Sequence, residues 1–152
     1  FFIFSYRKDD NKKHLKEKKF IKSILNKYKI NNFIFLEDFN DIKKLINISD
    51  VVVYPTLDMN EKQEIPMILL ESLSMEKPII ITDMVPLNEI LKSNCGKKIN
   101  KGDFYKLSKE ILNLKNNKKL RLKMGKNGRK MVIKYFNIIN TAKEYEKLYS
   151  RI

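Results

Sequence analysis

Short apolar runs recur along this chain, each too brief for a helix and each followed by a stretch with helical spacing. Residues 51–54, Val-Val-Val-Tyr, form the most β-branched run, and Pro55 ends it because proline cannot donate to a sheet ladder. Residues 1–5, 33–36 and 78–81 are similar, and residues 97–100 make a fifth, shorter candidate. Between them, Leu15, Phe20, Ile21, Ile24 and Leu25 recur at helical spacing over residues 12–28, with lysines opposite. Ile42, Leu45 and Ile46 repeat the pattern over residues 41–48, and from residue 103 onward the chain is helical with brief polar breaks. Strands without polar alternation suit a parallel sheet covered on both faces. The expectation is an α/β fold, a doubly wound Rossmann-like parallel sheet with helices on both faces. Ligands of such sheets bind in the loops beyond the carboxyl ends of the strands.

The 152 residues, 43% hydrophobic and 11% aromatic, suffice for one domain with a core. No apolar stretch approaches the roughly 20 residues that span a bilayer. Cys95 is the single cysteine, so no internal disulfide forms, and a reducing cytoplasmic location is expected. One cysteine and one histidine, His14, cannot supply a soft-metal site, and His14 sits in a lysine-rich run that reads as exposed helix. The four glycines, Gly96, Gly102, Gly125 and Gly128, do not follow the first strand, which removes the dinucleotide fingerprint. A net charge of +14 attracts anions, but the lysines are dispersed along the chain, as on a solvated basic surface. No helix-turn-helix, zinc-finger or aromatic RNA-binding signature accompanies the charge, so no specific nucleic-acid partner is expected. The chain opens on strand-like residues without a methionine, and it is expected to be part of a longer protein.

Residues 51–89 concentrate the chemistry. Pro66 suits the first position of a helix running through Met75. On that helix Met67, Ile68, Leu69, Leu70, Leu73 and Met75 point nearly all the way round, the pattern of a helix buried on most sides, and Glu71 falls between Met67 and Ile68. An ionised carboxylate there needs donors or a polar cleft, and a ligand's pair of hydroxyls would serve. A lysine partner would serve as well. The free amides at the helix start, around residues 65–68, favour a diphosphate or a sugar oxygen. Met67 and Met75 read as core filler.

The order of these segments resembles the retaining GT-B glycosyltransferases known as glycosyl transferases group 1. The resemblance rests on Asp50-Val51-Val52-Val53-Tyr54-Pro55-Thr56, the helix bearing Glu71, Lys77-Pro78 leading to Thr82-Asp83, and Glu89-Ile90. Gly96, Gly102-Asp103, Met124-Gly125 and the closing Tyr145-Glu146-Lys147-Leu148-Tyr149 continue it. The family hallmark is two glutamates separated by seven residues. Glu71 matches the second, which accepts hydrogen bonds from the nucleotide ribose. The first, beside the transferred sugar, falls on Gln63, with Glu64 where the family usually has glycine. Gln63 bonds sugar hydroxyls but carries no charge. Gln63 and Glu64 are thus the catalytic candidates, and backbone contacts to donor sugar and phosphate map to Ile65, Pro66 and Met67. Base contacts map to the loops after the first two strands, where Tyr6 and Phe39 lie; Phe39 either stacks on a base or closes the core.

The resemblance implies the carboxyl-terminal donor-binding half of a GT-B enzyme, spanning residues 1–152, with the acceptor domain and the first part of this domain absent. It implies no cofactor, a nucleoside-diphosphate sugar as donor substrate, and a glycan or lipid-linked acceptor. The basic pair that stabilises the departing diphosphate lies upstream in the family, so this chain alone is expected to be catalytically poor. Gln63 leaves a second reading open, a noncatalytic or partner-completed binding module. The helix over residues 12–27 is the candidate for peripheral contact with an anionic inner membrane face. Tyr145, Leu148 and Tyr149 share a face of the last helix and are expected to pack rather than recognise lipid; in the family this tail reaches back toward the other domain, so the resemblance implies that its surface is missing here.

Overall fold

The computed structural model describes residues 1–6, 12–59 and 64–151. Its contacts divide into two compact units, Phe1–Ile42 and Lys43–Ile152. The strands pair in parallel throughout, in a two-stranded sheet β1-β2 and a three-stranded sheet β3-β4-β5.

In the first unit, β1 (Phe2–Tyr6) and β2 (Phe33–Glu37) pair in register from Phe2 opposite Phe33 to Tyr6 opposite Glu37. Aromatic residues across this pair hold it, with Phe4 stacked on Phe35 at 5.0 Å between ring centres. The connecting helix α1 (Lys12–Lys27) has its apolar periodicity only partly satisfied. Leu25 is buried, whereas Leu15 and Phe20 are 59% and 66% exposed. Lys18 instead reaches Glu37 at 3.1 Å and lies over the Tyr6 ring, and Lys22 lies over Phe35. Asp38, just past β2, takes a positive φ as its amide donates to the Tyr6 carbonyl.

The second unit has the larger core. β3 (Val52–Tyr54), β4 (Ile79–Thr82) and β5 (Gly96–Ile99) form its sheet, with β4 central and wholly buried. The twofold alternation of a strand sends Ile79 and Ile81 to one side and Ile80 to the other. On the first side they meet Leu69 and Leu73 of α3 (Met67–Ser74), Leu87 and Ile90 of a 3₁₀ helix (Leu87–Ser93), and Met131 of α5 (Lys118–Tyr135). On the second, Ile80 meets Ile99, Leu114 of α4 (Phe104–Asn116) and Met124 of α5. Both faces of this sheet are therefore covered, which is why β3 and β4 are apolar without alternation. The 3₁₀ helix is ended by Asn94 in the left-handed region.

Three polar details hold the layers. The Lys77 ammonium donates to the Asn47 carbonyl at 2.7 Å, at the carboxyl end of α2 (Ile42–Ile48). Arg121 binds Asp50 and the Leu114 carbonyl. Glu110, buried on α4, receives Lys106 at 2.9 Å and Lys97 at 3.9 Å. Burial alone would raise the Glu110 pKa, but the bonds from Lys106 and Asn113 and the charge of Lys97 outweigh it and the carboxyl sits below its ordinary value.

α6 (Ile138–Tyr149) carries the apolar stripe without a cover among the described residues. None of its residues is buried, and Tyr145, Leu148 and Tyr149 are all more than half exposed, Tyr145 and Tyr149 stacking only on each other. The periodicity gave the helix an apolar stripe, but no element of the described structure lies against it.

Candidate functional site

The carboxyl ends of β3, β4 and β5 converge on the loops that the sequence singles out. β3 ends at Tyr54 and Pro55; beyond them the Thr56 carbonyl accepts the Thr82 hydroxyl at 2.8 Å, tying the loop after β3 to the last residue of β4. The Thr56 hydroxyl donates in turn to the Asp58 carbonyl. At the end of β4 the Asp83 amide donates to the Ile99 carbonyl at 2.7 Å. The Asp83 carboxylate pairs with Lys98 at 2.8 Å and accepts from the Asn88 amide at 3.2 Å. Those two bonds hold the Asp83 carboxyl below its ordinary pKa. Asp83 is thus an ionised bracket that fixes the start of the 3₁₀ helix to β5. The Thr82-Asp83 pair at a strand end was its signal in the sequence, although not one that specified a bracket.

Ile65 and Pro66 carry the chain from the loop into α3. Pro66 is the N-cap, at φ −57° and ψ 129°, and no side chain caps the helix. The Leu69 amide turns back to the Pro66 carbonyl at 2.9 Å, while the amides of Met67 and Ile68 meet no acceptor among the described residues. Two donors and the positive end of the helix are therefore available to an anion. Glu71 lies one turn further on. Its side chain is half-buried, and among the described residues it makes no hydrogen bond or ion pair. Helical side chains lean toward the amino terminus, so the carboxylate leans toward the turn with the open amides. The lysine partner that would have made Glu71 structural is absent from the described residues.

Met67 departs from its expected role as core filler: it is 66% exposed. Met75, at the other end, is half-buried. Glu64 is exposed, and Gln63 lies outside the described residues.

Tyr6 and Phe39 belong to the first unit, both at the carboxyl edge of its sheet. The Tyr6 ring sits under the Lys18 ammonium at 5.4 Å and edge-on to Phe35. Phe39 is 40% exposed. Phe39 therefore offers a free ring surface, and Tyr6 a largely packed one. Arg7, in the same predicted loop, is outside the described residues.

Sequence reasoning missed a groove beside Ile65. Glu89, Ile90, Lys92, Ser93 and Met131 line it with Ile65, enclosing about 290 Å³. It adjoins the loop–helix that carries Glu71.

The second unit is thus a parallel sheet with helices on both faces, with a carboxylate and a helix start beyond its strands that meet no partner among the described residues. Solved glycosyltransferases share this fold. Anabaena HepE, determined in complex with UDP, superposes with a TM-score of 0.83 over 97% of this chain and 40% of its own, at 14% identity. The carboxyl-terminal domain of LpcC from Francisella tularensis gives 0.75 over 91% of this chain and 87% of that domain, at 17% identity. In sequence, the capsular polysaccharide biosynthesis glycosyltransferase CapM of Staphylococcus aureus is 27% identical over 120 residues, covering 78% of this chain and 30% of CapM. Residues 14–131 match the family Glycosyl transferases group 1, and the chain belongs to that family. It spans about a third of the length of CapM.

Proposed function

We propose that this chain is the donor-binding, carboxyl-terminal part of a glycosyltransferase that moves a sugar, with retention, from a nucleoside-diphosphate sugar to a glycan or lipid-linked acceptor. One observation carries the reading: the half-buried Glu71 carboxylate has no partner among the described residues and lies one helical turn from the open amides of Met67 and Ile68. A carboxylate accepts from both vicinal hydroxyls of a ribose, and the helix start receives the diphosphate. Ile65 and Pro66 bring the backbone against the donor, with Pro66 contributing no amide. By the order of the family's motif, Glu64 and Gln63, the latter outside the described residues, are the candidates for the transferred sugar, an amide being able to bond its hydroxyls. Within the first unit, Phe39 offers a ring face on which a base can stack, and Tyr6 packs against Lys18 and Phe35.

Departure of the diphosphate needs cationic stabilisation, commonly worth several kcal/mol of barrier, which the basic pair in the first part of the longer protein's donor domain supplies, while its other domain supplies the acceptor site. No separate cofactor is required, since the donor is itself the substrate. The reaction takes place in the cytoplasm, with the protein resting peripherally on an anionic membrane face where its acceptor is lipid-linked. No helix among the described residues is long and apolar enough to cross a membrane. Gln63 in place of the first family glutamate favours a second reading, a noncatalytic or partner-completed nucleotide-sugar-binding module.

Calorimetric titration of the chain with UDP and GDP at two salt concentrations tests the donor site. Saturable binding that changes little with salt and weakens roughly 10- to 100-fold in Glu71→Ala is expected, the loss of a charge-assisted bond of about 1.5–3 kcal/mol. Binding that Glu71→Ala leaves untouched refutes the assignment. Sugar transfer by the longer protein, abolished by the same substitution, separates the enzyme from the module.

A further inference from the structure

α5 contains Lys118, Lys119, Lys123, Lys126, Lys130 and Lys134, with Arg121 and Arg129, and no acidic residue in its 18 positions. At 100° per residue, Lys119, Lys123, Lys126, Lys130 and Lys134 fall on one stripe, roughly 22 Å long at 1.5 Å per residue. The opposite side of the helix is the buried one, carrying Met124, Gly125, Gly128 and Met131. The two arginines serve the fold: Arg121 binds Asp50, and Arg129 donates to the Ser74 carbonyl. The lysines do not. Lys119, Lys123, Lys126 and Lys130 are exposed and make no ion pair among the described residues, while Lys134 lies over Tyr135. Leu122 and Ile133, each 53% exposed, border the stripe.

Like charges four residues apart destabilise a helix, and this stripe contains three such pairs, Lys119–Lys123, Lys126–Lys130 and Lys130–Lys134, with no acid to relieve them. Folding gains nothing from that arrangement, whereas a negatively charged surface does. We propose that the outward face of α5 seats this protein on an anionic lipid bilayer, the lysines at the headgroups and Leu122 and Ile133 entering the interface. The proposal rests on the membrane contact in the proposed function and not on the donor site. It moves that contact from α1 to α5. In α1, Lys18 is engaged by Glu37 and Tyr6, Lys22 by Phe35 and Lys27 by Tyr28, and Glu17 interrupts the charge. A nucleic-acid backbone would match the amines but leaves Leu122 and Ile133 without a role.

The test is sedimentation of the chain with vesicles of mixed phosphatidylglycerol and phosphatidylcholine, against phosphatidylcholine alone. The chain has no tryptophan, so Leu122→Trp reports insertion by fluorescence from that position only. Binding to the anionic vesicles alone is expected, with a blue shift in the emission of the Leu122→Trp variant. Each lysine at a surface contributes about fivefold, so K119Q/K123Q/K126Q/K130Q weakens partitioning on the order of several hundredfold. K16Q/K19Q on α1 changes it far less than the roughly 25-fold expected were those lysines in contact. Far-UV circular dichroism confirms that the variants are folded. Wild-type partitioning by the quadruple variant overturns the assignment to α5 while leaving a membrane contact. No binding even at low salt overturns both. Displacement by duplex DNA, with no blue shift, makes the stripe a general polyanion surface and also overturns the proposal.

Discussion

Gly125→Ala sets two effects of known sign against each other. Gly125 is buried in the middle of α5, where alanine is favoured by about 1 kcal/mol on intrinsic helix propensity. Against this, a Cβ at residue 125 would stand 1.9 Å from the backbone oxygen of Glu76, about 1 Å closer than real Cβ atoms come. Neither neighbour can yield cheaply. Glu76 is in the turn that ends α3, at φ 58°, and α5 is anchored on either side by Met124, Gly128 and Met131. Overpacking of this kind costs roughly 1–3 kcal/mol, and a backbone neighbour places it at the upper end. The clash should win by about 2 kcal/mol. Urea unfolding followed at 222 nm measures it, as a lower midpoint at unchanged slope. Gly128→Ala provides the comparison, because its closest neighbour is the Leu73 side chain at 2.6 Å, which can rotate, so a smaller loss is expected there. A Gly125→Ala protein as stable as the wild type would refute the reasoning, since propensity would then have prevailed and α5 would not approach α3 as closely as described.

Two further outcomes follow from ionisable groups. The Asp83 carboxyl is held below its ordinary pKa by Lys98 and Asn88, so its stabilisation is present above the unfolded-state value and is lost as pH falls through the folded one. Asp83→Asn should therefore flatten the loss of stability on acidification below about pH 4, compared by urea midpoints at several pH values; an unchanged slope would remove the bracket's role. Cys95 is fully buried, and burial pushes its thiol up to about 11. Its reaction with an aromatic disulfide at neutral pH should be slow in the native chain and rapid in denaturant, and fast native labelling would contradict the packing of this face.

Much of this protein could be read in its sequence because strands and helices leave different periods of apolar residues. β1 to β4 lie within about a residue of their apolar runs, β5 within a residue of the segment read at 97–100, and α3 begins just after Pro66, as a first-turn proline implies. Glu71 was legible for the same reason, as the charged residue of an otherwise apolar helix beyond a strand. Other assignments depended on neighbours that no local pattern names. Periodicity tells which side of a helix is apolar but not whether another element lies against that side. Met67 is therefore exposed, and the Tyr145, Leu148 and Tyr149 stripe of α6 is bare among the described residues. The Thr82 to Thr56 link and the Asp83, Lys98 and Asn88 bracket join residues 5 to 26 positions apart, a proximity created only when the parallel strands align. The basic surface divides the same way. Its charge is fixed by composition, but which lysines are engaged by the fold and which stand unpaired in a row on α5 was decided by the packing of that helix through Met124, Gly128 and Met131.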